Sequence, residues 1–215
     1  MTDAVLRQAI IEQYCALVCD GLTAGTAGNI SVRTLDGMLI TPTGAAAADL
    51  APDRLVAMAL DGTVNGDIRP SSEWQMHAAI YRAVPGAGAV VHTHADACVA
   101  LSCQRRSIPA FHYMVAGFGG DDVPCTGYAP FGSVELAELA AAALDGRSAC
   151  LLANHGMIAH GPDLARAVAA TRRLEILARQ YLLALTAGPP VLLDSAQMAE
   201  VRRRYAGYGQ QAVAR

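Results

Sequence analysis

Ile30-Ser31-Val32-Arg33-Thr34-Leu35-Asp36-Gly37-Met38-Leu39-Ile40-Thr41 is the stretch on which the fold turns. Two apolar-rich segments flank Asp36-Gly37, a pair that accepts the backbone geometry of a tight turn. Residues 30–33 and 38–41 are therefore expected to pair antiparallel. Upstream, Leu6, Ile10, Tyr14, Leu17 and Val18 form a stripe at helical spacing, which predicts a helix over 3–20 stopped by Gly21. The small-residue loop Gly25-Thr26-Ala27-Gly28-Asn29 joins that helix to the hairpin. Downstream, Thr41-Pro42-Thr43-Gly44 reads as a turn, and Leu55–Leu60 with Asp61-Gly62 and Val64 reads as a second hairpin.

The rest of the chain alternates helices and short strands. Ser71-Ser72 caps a helix over 73–84 that Pro85-Gly86 ends, and Ala89–Val91 begins a buried strand running into His92-Thr93-His94. Helices are expected over 95–103, from Ser133 to 144, from Asp163 to 186 and over 194–205, with strands at 150–153 and 157–160 around Asn154-His155-Gly156. Residues 107–132, rich in Gly, Pro and aromatics, read as strands and loops. Short strands joined by hairpin turns predict a mixed α/β fold with substantial antiparallel pairing. With no Gly-x-Gly-x-x-Gly in the chain, a doubly wound dinucleotide fold has no support.

Composition narrows the chemistry. The 215 residues are 53% hydrophobic and 16% charged, enough for one well-filled core. A net charge of −3 argues against a nucleic-acid partner or an anionic membrane surface. All 16 basic residues are Arg. Without Lys there is no side-chain Schiff base and no P-loop, so carbonyl chemistry needs another electron sink, and a metal is the obvious candidate. The first twenty residues show an amphipathic pattern rather than a signal peptide, and no apolar run approaches the ~20 residues of a membrane span. The six Cys (15, 19, 98, 103, 125, 150) lack a Cys-x-x-Cys pair and lie in apolar segments, so reduced core thiols and a cytoplasmic protein are expected.

His92 and His94 are the strongest chemical signal. Residues i and i+2 of a strand share a face, so two imidazoles project together from an apolar strand end. A shared metal ion would satisfy both, and the third ligand comes from His77, His112, His155 or His160. His155, again at the end of an apolar run and followed by Gly156, is the best placed. His160, before Gly161-Pro162, reads as a loop residue, and His77 and His112 read as core histidines, with His77 a minor alternative ligand. Glu73 lies four residues before His77 and thus on the same helix face. It reads either as a first-turn partner of the helix dipole or as a metal ligand or general base. Ser71-Ser72, the 25–29 loop and Thr43-Gly44 are places where backbone N–H groups and hydroxyls can meet an anion.

Taken in order, Gly25–Arg33, Met38–Gly44 (MLITPTG), Pro70–Trp74 (PSSEW), Val90–His94 (VVHTH), Ser107–Met114 (SIPAFHYM) and Asn154-His155-Gly156 resemble the class II aldolase/adducin family. The resemblance runs from the first helix into the C-terminal tail. It implies a single three-layer α/β/α domain over residues 1–215 with a largely antiparallel central sheet, and a flexible tail from about 206. It implies a homotetramer with active sites at subunit interfaces. One Zn2+ per subunit is implied on the residues matching His92, His94 and His155, with Glu73 as the catalytic carboxylate that ligates the metal at rest. The phosphate site falls on Gly28, Asn29, Thr43, Gly44, Ser71 and Ser72. Tyr113 matches an acid contributed by a neighbouring subunit, Phe131 an aromatic of the aldehyde pocket, and Tyr208 a tyrosine that closes over it.

The activity so implied is reversible cleavage of a phosphorylated sugar, L-fuculose 1-phosphate or a related 1-phosphoketose, to dihydroxyacetone phosphate and an aldehyde such as L-lactaldehyde. The competing readings are cleavage of a 5-deoxy or methylthio pentulose 1-phosphate, epimerisation of ribulose phosphate, and a non-catalytic adducin-like scaffold. Epimerases of the family typically carry Asp where this chain has Glu73, and a scaffold has no need of His92, His94, His155 and Glu73 together. A metallohydrolase would not require three phosphate-type loops. Asp121 and Asp122, in the loop after Tyr113, are expected to face solvent.

Overall fold

A computed structural model describes residues 2–208; residues 209–215, most of the expected tail, lie outside the described residues. The helices are α1 (Asp3–Cys19), α2 (Trp74–Ala83), α3 (Asp96–Cys103), α4 (Val134–Ala143), α5 (Leu164–Thr186) and α6 (Ser195–Ala206). The strands are β1 (Asn29–Thr34), β2 (Gly37–Ile40), β3 (Val56–Met58), β4 (Ala89–Thr93), β5 (Ala149–Leu152) and β6 (Gly156–Gly161). They form one sheet in the order β3-β2-β1-β4-β6-β5, and every neighbouring pair is antiparallel.

The strands are buried on both faces, so successive residues divide between two cores. Ile30, Leu39, Val91, Leu151, Met157 and Ala159 pack with residues of α1, α3 and α5. Met38, Ile40, Val90, Cys150, Leu152 and Ile158 pack with residues of α2 and α4. The three-layer α/β/α arrangement follows from this alternation. No helix among the described residues is long and apolar enough to cross a membrane.

Several local expectations are corrected. Thr34 pairs with Gly37, so Leu35-Asp36 makes the hairpin turn and Gly37 opens β2, where a Cβ would lie 2.1 Å from the Met58 carbonyl oxygen. The second hairpin keeps the expected Asp61-Gly62 turn but shrinks to β3 and a single bridge, Met58 to Val64, since the chain bends away from Asn65 onward. Residues 107–132 form no strand among the described residues; they hold a 3-10 helix, Tyr113–Phe118, and the isolated bridges Ile108–Val123 and Cys125–Leu151. His160 lies in β6, as the strand expected over 157–160 has it and against the loop reading drawn from Gly161-Pro162, its Nε2 bonding the Arg147 carbonyl at 3.0 Å. The six cysteines are free, but only Cys98 and Cys150 are buried; Cys19 and Cys103 are exposed at helix C-termini.

The sheet brings the chemistry to one end. Asn29 opposes His92 across β1 and β4, and Thr93 opposes Met157 across β4 and β6. The loop before β1, the end of β4 and the β5–β6 turn therefore meet.

Candidate metal centre and substrate pocket

His92 ends a run of buried apolar residues and is itself fully buried. Its Nδ1 lies 2.8 Å from the Met157 carbonyl oxygen, an acceptor only, so Nδ1 donates and Nε2 points into the site. There Nε2 meets His94 Nε2 at 3.1 Å and Glu73 Oε2 at 3.0 Å. His94 lies just past β4, and its i+2 spacing still turns it toward His92. His155 arrives from the β5–β6 turn, with Nε2 3.4 Å from Glu73 Oε1. One ligand atom from each of His92, His94 and His155 lies within 4.8 Å of the others.

These residues fit a metal ion. Three imidazole nitrogens face one another, and Glu73 Oε1 is buried without a hydrogen-bond partner among the described residues. Burial first, and then the neighbouring His92, push His94 and His155 down to about 4, so both are neutral ligands at neutral pH. Burial works to raise Glu73, but His92, His155 and the Asn29 bond outweigh it and hold it below the usual carboxylate range. His92 moves up: burial opposes its charge, and the facing Glu73 carboxylate more than compensates.

Glu73 is the N-cap of α2 rather than a first-turn residue, and its side chain makes no capping bond to its own helix. The dipole-partner reading is therefore corrected: the carboxylate turns to the histidines and accepts from Asn29 Nδ2 at 3.1 Å. Ser72 is not the cap, while Ser71 Oγ accepts from the Glu73 N–H at 3.3 Å. His77 does not join the cluster; it is fully buried and bonded to Ser31 and Asn29, and burial above all, then His92, pushes it down to about 3. His112 Nδ1 accepts from Met114 N at 3.3 Å and starts the 3-10 helix.

A cavity of about 300 Å³ opens over the cluster, lined by Gly28, Asn29, Thr43, Gly44, Ser71, Ser72, Glu73, His94, Phe131 and His155 among others. Every residue expected at the phosphate site thus lines one cavity. Gly28 has φ +75, and a Cβ there would meet Thr23 Oγ1 at 2.7 Å and the His92 carbonyl at 2.9 Å, so the loop can lie against β4 only with Gly. Tyr14 and Thr23 fasten this loop through the Ala27 carbonyl at 2.9 and 2.6 Å.

Tyr128 and Asn154 also line the cavity and escaped sequence reasoning. Asn154, not Gly156, supplies the left-handed backbone of the β5–β6 turn, with φ 54. Gly156 is needed for closeness instead: a Cβ would fall 2.5 Å from the Thr93 carbonyl and 3.1 Å from His94 Cδ2. Gly156→Ala is expected to cost about 1–3 kcal/mol by overpacking and to lower metal content. Thermal melting and metal analysis check this; an unchanged melting temperature with full metal content contradicts it.

Tyr113 and Tyr208 do not line the cavity of their own chain. With Met114, Arg173, Val201, Arg204 and Tyr205 they border a separate exposed depression. Tyr113 and Tyr205 rings lie 6.5 Å apart, and Tyr205 and Tyr208 rings 6.3 Å apart. Asp121 and Asp122 are held by Arg202 and Arg147 and line none of this cavity.

Comparison with known proteins agrees with this geometry. Residues 8–182 match the model of the class II aldolase and adducin N-terminal domain. A 5-methylthioribulose-1-phosphate/5-deoxyribulose-1-phosphate aldolase of Rhodospirillum rubrum is 46% identical over 96% of this chain and 94% of its own. An L-fuculose phosphate aldolase of Escherichia coli is 45% identical over 95% of each chain. A solved L-fuculose 1-phosphate aldolase superposes with a TM-score of 0.89 at 37% identity, covering 93% of this chain and 95% of that one. The chain belongs to the class II aldolase and adducin family, and it is a class II aldolase.

Proposed function

We propose that this aldolase is zinc-dependent and reversibly cleaves L-fuculose 1-phosphate, or a related 1-phosphoketose, to dihydroxyacetone phosphate and an aldehyde such as L-lactaldehyde. The observation that carries the reading is one buried carboxylate, Glu73, set against three imidazoles beneath loops rich in neutral donors. The chemistry a zinc ion supplies when bound by His92, His94 and His155 is Lewis acidity at the ketose carbonyl, the task a Lys imine performs elsewhere.

This chain's residues do the rest. Gly28, Asn29, Thr43, Gly44, Ser71 and Ser72 hold the phosphate without a Lys. In the direction of synthesis, Glu73 takes a proton from the carbon beside the carbonyl of dihydroxyacetone phosphate. As the new carbon–carbon bond forms, Tyr113 from a neighbouring subunit protonates the aldehyde oxygen; cleavage reverses both transfers. Phe131 lines the aldehyde side, and Tyr208 closes over it. The exposure of Tyr113 and Tyr208 outside their own cavity supports a tetramer in which each subunit completes another's site.

The 46% identical relative favours a second substrate, 5-methylthioribulose or 5-deoxyribulose 1-phosphate. A one-methylene difference in a pocket is worth only ~1–3 kcal/mol, so all three sugars belong in one assay. Release of dihydroxyacetone phosphate is expected after chelation and zinc restoration, and not from the chelated protein. Failure with all three sugars on zinc-loaded, folded protein rejects the reading.

Tyr113→Phe is expected to slow cleavage by about 10²–10⁴-fold while proton exchange into dihydroxyacetone phosphate changes far less. Mixing Tyr113→Phe with Glu73→Gln subunits is expected to restore part of the activity. Equal losses in both assays, or no rescue in confirmed mixed tetramers, remove Tyr113 from this role.

A further inference from the structure

An unbroken polar chain runs between the sheet and α2. Tyr81 Oη lies 2.8 Å from Ser31 Oγ, and Ser31 Oγ lies 2.7 Å from His77 Nδ1. His77 Nε2 lies 2.5 Å from Asn29 Oδ1, and Asn29 Nδ2 lies 3.1 Å from Glu73 Oε2. All five side chains are buried, in a layer otherwise filled by Met76, Ile80, Val90 and their neighbours. The geometry is a match of periods. Asn29 and Ser31 are two apart on β1 and share a face, rising about 6.6–6.8 Å. Glu73, the N-cap of α2, and His77 and Tyr81 on it are four apart and share a face, rising about 6 Å per step. The two ladders stay in step over the length of the chain.

The direction of every bond follows from the last member. An ionised carboxylate only accepts, so the Asn29 amide must turn its Nδ2 to Glu73 and its Oδ1 to His77. An amide oxygen only accepts, so His77 carries its proton on Nε2 and leaves Nδ1 bare. Ser31 then spends its one hydroxyl proton on Nδ1, and Tyr81 donates to Ser31. A side-chain amide can be flipped without changing its shape, so something must choose its orientation. His77 and Glu73 choose it from opposite ends.

We propose that His77 is a positioning residue: its Nε2–H holds Asn29 with the amide N–H groups turned to the reaction side, one on Glu73 and the other toward the substrate. The role deepens the reading of Glu73 as the base and rests on it; the proton's place on His77 does not. Asn29 lines the cavity, so an amide free to flip would set its oxygen against both the carboxylate and the substrate phosphate or hydroxyl oxygens.

The test has two arms on zinc-loaded, full-length protein. In the first, 15N-histidine labelling and long-range proton–nitrogen correlation read the tautomer, the His77 signals being those lost in His77→Gln. A proton on Nε2 with Nδ1 bare is expected; a proton on Nδ1 overturns the proposal. In the second, His77→Leu is expected to lose about 10–100-fold in kcat with a raised KM, at unchanged zinc content. His77→Gln, which keeps a donor toward Asn29, is expected to recover most of the loss. Equal losses in the two variants assign His77 to packing alone and overturn the role, as does full activity in His77→Leu. If Glu73→Gln keeps proton exchange, the base assignment fails, while the tautomer still reports whether the chain runs as described.

Discussion

Glu73→Gln is expected to bind zinc and fold, yet to lose about 10²–10⁴-fold in the rate at which solvent deuterium enters dihydroxyacetone phosphate. The expectation follows from what Glu73 touches. Its oxygens face His92 at 3.0 Å and His155 at 3.4 Å, and Asn29 donates to it at 3.1 Å. These partners keep it ionised through the neutral range despite its burial. Gln preserves the shape and can still accept from Asn29, so the pocket and its three histidines persist. It cannot take a proton from carbon. The exchange assay isolates that single transfer from the bond-breaking step. Exchange at the unmodified rate in Glu73→Gln assigns the proton transfer to another group and leaves Glu73 as a ligand.

His155→Ala is expected to remove the metal and the activity together while the fold survives. The side chain stands in the β5–β6 turn, and its Nδ1 makes no hydrogen bond among the described residues, so truncation loses its contacts with Glu73, His92 and His94 at the site but no hydrogen bond from Nδ1 to the fold. It leaves His92, His94 and Glu73, and only two imidazoles for the ion. Activity is expected to fall by more than the ~10–100-fold that changes outside the ligand shell cost. Metal analysis of the purified variant, thermal melting and dihydroxyacetone phosphate release read the three consequences separately. A metal-free His155→Ala protein with full activity refutes the zinc assignment.

The site was legible where its side chains share a local period. His92 and His94 lie two apart at a strand end, and Glu73 and His77 lie four apart on a helix, so each pair could be placed on one face. His155 needed an apolar run and a turn. The antiparallel sheet was legible from the first hairpin for the same reason. What the sequence concealed depends on distant partners. His77 reads as a satisfied core histidine, and it is one, but its partner Asn29 is forty-eight positions away. Asn154 in a left-handed turn and Tyr128 at the cavity carry no periodic signal. The 107–132 segment misled because its Gly, Pro and aromatic content fits loops and strands alike, and its 3-10 helix at Tyr113–Phe118 is started by the Met114 N–H donating to the His112 ring rather than by a pattern.

The match of strand and helix between β1 and α2 sets how this chain can change over evolutionary time. Asn29 and Ser31 stay on the α2 face only while β1 keeps its phase, and Glu73, His77 and Tyr81 only while the helix keeps its own. A single-residue insertion between Asn29 and Ser31 would turn one of them to the opposite layer. One between Glu73 and His77 would swing the carboxylate about 100° from its partners. The intervening connection is held to register in β2 and β3, and at Thr43, Gly44, Ser71 and Ser72, which line the cavity, but its loops on either side of β3 carry no such restriction. Length variation among descendants of this chain should therefore collect in the loops at 45–54 and 65–69 and be purged from 29–31, from β2 and β3, and from 73–81.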